Sequence, residues 1–107
     1  AAEMSPLAWE VLRPTVDDAL IIADDCAAET MRLLANGVAG DRPIVAGESG
    51  CAATAALIAA CGNDNVRKAL QLGPKARVLL IGSEGATDTE IYRSVVGRTP
   101  EEVAGAA

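Results

Sequence analysis

Two short runs hold the side chains best placed to do chemistry: Gly47-Glu48-Ser49-Gly50 and Ser83-Glu84-Gly85. Each puts a carboxylate and a hydroxyl on a glycine turn. Each follows a short apolar run, 43–46 and 77–82, and precedes a stretch that favours helix. In parallel α/β sheets such strand-to-helix turns lie at the carboxyl ends of strands, where ligands bind. Free N–H groups at a helix start favour an anion there. A hydroxyl at a strand end can donate to a ring nitrogen or accept from a backbone N–H. Neither run is a Walker loop, because no Gly-Lys-Ser/Thr follows. Neither is a dinucleotide fingerprint, because the third glycine is missing. The glycines around Ser49 are in the wrong places for a nucleophile elbow. A helix cap and a tight turn ask for the same residues, so spacing alone leaves both readings open.

The remaining chemistry-bearing residues exclude more than they offer. The chain has no histidine, which removes Ser-His and Cys-His catalysis and any His-ligated metal. Its two lysines, Lys68 and Lys75, sit on a solvated helix face and in a loop entering a strand. Neither position offers the desolvation that a Schiff-base lysine needs. Asp17-Asp18 and Asp24-Asp25 are most simply strand ends and helix caps. Cys26, Cys51 and Cys61 are odd in number and fit no metal spacing. They read as small buried hydrophobes in a reducing, cytoplasmic compartment. The net charge is −6, with no basic cluster, so nucleic acid and anionic membranes are poor partners. The longest apolar run, near 51–61, is too short to cross a bilayer, and no charged-then-apolar leader stands at the start.

Positioning these turns is the work of a 107-residue chain that is half apolar yet only 2% aromatic. Its core must come from Leu, Ile, Val and Ala. Ser5-Pro6 suits a helix cap and first helical position. The runs 18–23 and 77–82 read as strands buried on both faces, with 43–46 as a shorter one between them. A helix from Asp24 or Asp25 to about Ala35 carries Ala27, Met31 and Leu34 on one side and stops at Asn36-Gly37. A helix over 50–61 aligns Ala53, Ala56, Leu57 and Ala60, and another is expected over 64–72. Thr87-x-x-Glu90 and Thr99-Pro100-x-Glu102 read as capping boxes. The order β-α-β-α-α-β-α predicts an α/β fold of parallel strands and right-handed crossovers in one domain. Three strands would leave a thin sheet with two unpaired edges.

Three blocks in order carry a family resemblance: 3–12 (Glu-Met-Ser-Pro-Leu-Ala-Trp-Glu-Val-Leu), 43–50, and 78–88 with Tyr92-Arg93 behind it. On them the chain resembles the C-terminal segment of the pyridoxal 5'-phosphate (PLP) enzymes of fold type II, the tryptophan synthase beta-like family, and within these the diaminopropionate ammonia-lyases. The match covers about residues 3–97. It implies a three-layer piece of a parallel sheet with flanking helices, part of a larger catalytic domain that spans residues 1–107 here. It implies that Ser83 holds the cofactor's pyridine nitrogen, where the family usually has Thr. It also implies that Gly47, Glu48 and Ser49 pass beside the ring and that Glu3 lies at the substrate pocket. The implied activity is a cytoplasmic PLP-dependent carbon–nitrogen lyase, a homodimer that converts 2,3-diaminopropionate to pyruvate and ammonia. The family's Schiff-base lysine, phosphate loop and proton-abstracting acids have no counterpart in the chain, so no catalytic residue is assigned and no turnover is expected from these residues alone. The competing reading is a non-catalytic α/β module that holds a phosphorylated ligand at its two glycine turns.

Overall fold

Caps and breakers already present in the sequence set the helix limits in the computed structural model, which describes residues 3–106. Helix α1 (Pro6–Thr15) starts where Ser5 accepts from the Ala8 N–H, at 3.4 Å, with Pro6 in the first turn. Helix α2 (Asp24–Asn36) has Asp24 and Asp25 in its first turn, where they favour the helix dipole. Its cap residue is Ala23, which makes no side-chain bond. Gly37, at φ 77, ends it. Helix α3 is Ala52–Cys61, and α4 is Asp64–Ala69, shorter than the expected 64–72. Helix α5 (Thr89–Val96) is capped by Asp88, which accepts from the N–H groups of Glu90 and Ile91. Thr87 therefore does not make the expected box; its hydroxyl donates to Glu84 instead, at 2.6 Å. Helix α6 (Pro100–Gly105) is capped by Thr99 as expected.

The core is small and one-sided. Met31, Ala35, Ala46, Cys51, Tyr92 and Val103 are buried together, with Ala27, Leu34 and Val45 packed against them. Thus α2 packs on α3 and α5, and α5 on α6. On α3 the buried residues are Ala55 and Ala60; Ala53 is exposed, so the expected apolar stripe turns away from the core at that end. Two arginines brace the other side. Arg32 donates to the Val95 carbonyl at 2.8 Å, and Arg98 to the Ala35 carbonyl at 3.1 Å and the Asn36 side chain at 2.8 Å. Helix α1 buries no residue.

The α/β expectation is overturned. Among the described residues there is no strand, and the fold is helical with long extended connections. A sheet needs a middle strand with free donors and acceptors, and 43–46 cannot serve. Pro43 has no N–H, and the Ile44 N–H is already taken by the Leu34 carbonyl at the end of α2, at 2.8 Å. Without that ladder the outer runs stay extended and wet. Ile21 is 101% exposed, Leu79 86% and Ile81 72%. Apolar content in 18–23 and 77–82 therefore marked largely exposed extended segments, not strands covered on both faces.

Candidate functional site

The two glycine turns meet, although no sheet aligns them. The Gly47 N–H donates to the Glu84 carbonyl at 3.3 Å. A Cβ built on Gly50 would overlap the same carbonyl oxygen and lie 2.9 Å from its carbon and 3.3 Å from the Glu84 nitrogen. A Cβ on Gly47 would overlap the Gly85 carbonyl oxygen. Gly82 also sits against Gly50, its Cβ position 3.4 Å from that carbonyl. The contact is backbone on backbone, and only glycine allows the approach.

The 47–50 turn is anchored from below. The Cys51 N–H donates to the Gly47 carbonyl at 3.0 Å, and the Ala52 N–H to the Ser49 carbonyl at 3.3 Å. The Cys51 thiol is fully buried and lies 3.4 Å from the Ala27 carbonyl of α2 and 3.5 Å from that of Glu48. Burial raises its pKa, and the neighbouring Glu48 charge adds to the rise. The thiol therefore stays neutral and acts as a peg between the turn and α2. Of the three cysteines, Cys51 is buried, Cys26 half-buried and Cys61 exposed, so the expectation of three buried cysteines holds fully only for Cys51.

Glu48 and Ser49 stand in the wall between two cavities. The larger, about 550 Å³, is lined by Ile22, Asp24, Asp25, Ala28, Met31 and Val95 as well as by Glu48 and Ser49. The smaller, about 110 Å³, lies between the turns and brings Gly47, Glu48 and Ser49 together with Glu84, Thr87, Asp88 and Tyr92. Both linings carry carboxylates. Such cavities favour cations and primary ammonium groups over phosphate.

The structure brings three of the expected residues to one place: Gly47, which is buried, and Glu48 and Ser49, which are exposed. Ser83 is exposed one residue before Glu84 and lines neither cavity, and Glu3 is exposed and also outside both. Sequence reasoning named Glu84 only as part of the second turn and gave Thr87 and Asp88 no site role. Their clue is the polar density of the Ser-Glu-Gly-x-Thr-Asp run directly after an apolar stretch. Lys68 lines a separate hollow with Arg67, Gln71, Leu72 and Gly73, and Lys75 is exposed, so no lysine lines either cavity beside the turns. Among the described residues no group of His, Cys, Asp and Glu could hold a metal ion. No helix there is long and apolar enough to cross a membrane.

Known proteins supply the comparison. The chain is 36% identical over 105 residues to the diaminopropionate ammonia-lyase of Escherichia coli strain K12, a match that covers 95% of this chain and 26% of that protein. It is 36% identical over 99 residues to the diaminopropionate ammonia-lyase of Salmonella typhimurium, covering 88% of this chain and 24% of that protein. The chain thus spans about a quarter of the length of the curated relatives it matches. No family model and no solved structure matches it. The resemblance carried by the three motif blocks holds along nearly the whole chain, which is similar over that length to the C-terminal segment of the diaminopropionate ammonia-lyases.

Proposed function

We propose that this chain supplies the ring-side wall of a PLP-dependent ammonia-lyase site that eliminates ammonia from 2,3-diaminopropionate and leads to pyruvate and a second ammonia. One observation carries the reading: two of the motif blocks that the lyase resemblance singles out, 36 positions apart between Glu48 and Glu84, are packed backbone to backbone.

The residues fit the non-covalent side of such a site. Ser83 keeps an exposed hydroxyl in the turn that packs against Gly47 and Gly50. PLP, when bound, supplies a conjugated ring that draws electron density from the substrate's α-carbon. Ser83 would donate its hydroxyl hydrogen to the pyridine nitrogen and so keep that nitrogen uncharged, Glu48 and Ser49 would border the ring, and the carboxylates of Glu48, Glu84 and Asp88 would hold ammonium groups of a diamino acid. The amine that would bind the cofactor covalently is not among this chain's cavity residues.

The alternative, a module for phosphorylated ligands, loses support from the same lining. Three carboxylates around a small cavity repel a phosphate. The test is a chimera in which residues 3–97 replace the matching stretch of the Escherichia coli enzyme. Retained PLP binding with pyruvate release from 2,3-diaminopropionate is the expected result. A folded chimera that binds PLP and releases no pyruvate overturns the proposal.

A further inference from the structure

The turn that carries Ser83 is tied down from one side. Among the described residues no backbone–backbone hydrogen bond reaches 77–83, and the bonding resumes at Glu84. The Glu84 carbonyl accepts from the Gly47 N–H, at a long 3.3 Å. Its carboxylate accepts from the Thr87 hydroxyl at 2.6 Å, the length of a charge-assisted bond. The Thr87 N–H donates to the Gly85 carbonyl at 3.0 Å, so Thr87 closes the turn through backbone and side chain together. The half-buried Glu84 also faces its partner turn, because a Cβ on Gly47 would lie 3.8 Å from its carboxylate oxygen. Thr87 has a firm base. It leads into α5, where Asp88 supplies both cap bonds and Tyr92 is buried in the core. Its hydroxyl is thereby released from the capping role that its position suggests, and it bonds Glu84 instead.

We infer that Thr87 is a positioning residue: its bond to the Glu84 carboxylate fixes the turn to α5 and so aims the Ser83 hydroxyl, one residue before Glu84, at the pyridine nitrogen of PLP. The inference rests on the lyase reading above, which places that nitrogen at Ser83. The physical reason is preorganisation. A hydroxyl on a free turn must be ordered when the cofactor arrives, and that ordering subtracts from affinity. A turn already closed on a packed helix is ordered beforehand. Thr suits the task because its β-branch restricts χ1 and keeps the hydroxyl on its acceptor. Thr87 itself touches neither ring nor substrate in this reading; it acts through Glu84 and Ser83.

The experiment has two arms. In the 107-residue chain, Thr87→Val keeps the side chain's shape and removes its hydroxyl. Amide exchange at Gly47 is expected to quicken roughly fivefold, the weight of one hydrogen bond, while Glu90 and Ile91, capped by Asp88, stay as they are. Thr87→Ser restores slow exchange. In the chimera, PLP is titrated by its absorbance. Thr87→Val is expected to weaken binding by the same factor, Thr87→Ser to restore it, and Thr87→Val to add nothing in a Ser83→Ala background, because the two residues act as one unit. Unchanged Gly47 exchange in Thr87→Val overturns the inference, as does a loss of PLP affinity that recurs in full without the Ser83 hydroxyl. Ser83→Ala that binds PLP like wild type overturns the ring assignment and the inference with it, as does a folded chimera that binds no PLP. A cycle that holds in a chimera releasing no pyruvate supports the inference and overturns the elimination reaction alone.

Discussion

Replacing Gly50 by alanine is the sharpest test of the contact that builds the site. Gly50 does not have a left-handed φ, so alanine meets no backbone strain there. The whole effect is steric. The new Cβ overlaps the Glu84 carbonyl oxygen and lies within 2.9 Å of its carbon. These are backbone atoms and cannot rotate away, so the two turns must part. Overpacking of this kind costs roughly 1–3 kcal/mol. Against it, alanine narrows the unfolded ensemble, a gain of about 0.4–1 kcal/mol. The net expectation is a loss of about 1–2 kcal/mol, read as a lower urea midpoint at unchanged slope. Gly85→Ala is the matched control. Its Cβ meets nothing within 4 Å and its φ is also unstrained, so only the gain remains. Amide exchange should locate the damage, with the Gly47 N–H losing protection as its bond to Glu84 opens. Equal stability of Gly50→Ala and Gly85→Ala would refute the close approach of the turns.

Tyr92 is 1% exposed and its hydroxyl has no hydrogen-bond partner; Tyr92→Phe is therefore expected to stabilise the fold by about 1 kcal/mol in urea denaturation, and a loss of that size would show that the hydroxyl is bonded. Burial raises the pKa of Tyr92 above its ordinary 10.0 and that of Cys51 above 9.0. The unfolded chain then releases those protons first, so stability should hold below pH 9, fall as pH climbs past 9 and 10, and fall less steeply in Tyr92→Phe. Alkylation at pH 8 followed by mass spectrometry should label Cys61 first, Cys26 next and Cys51 last; early labelling of Cys51 would contradict its burial beneath the turn. Asp88→Ala removes both cap bonds of α5 and should cost about 1 kcal/mol, seen as faster amide exchange at Glu90 and Ile91. In the chimera, Ser83→Ala should weaken PLP binding by roughly 1–3 kcal/mol while Ser83→Thr stays near wild type; unchanged binding and turnover in Ser83→Ala would reduce Ser83 to a turn residue.

Local chemistry was legible without coordinates. Ser5-Pro6, Asn36-Gly37 and Thr99-Pro100 mark helix limits through bonds and dihedral preferences spanning at most four residues, and the helices begin and end there. Gly47 and Gly50 marked a tight turn, though not the backbone approach to Glu84 and Gly85 that it makes, and Met31 with Leu34 marked the inner side of α2. Tertiary structure decided the rest. Whether an apolar run becomes a strand depends on a partner's free N–H and C=O groups, which the run itself does not encode. Here Pro43 lacks the donor and Leu34 takes the one on Ile44, so 18–23 and 77–82 remain extended and exposed. Competition among caps is also a tertiary matter: Thr87 and Asp88 are both good caps by type, and Glu84, held at the turn contact, draws the Thr87 hydroxyl away. The acidic lining around Glu48 arose in the same way, because residues far apart in the chain become neighbours only once two glycine turns touch.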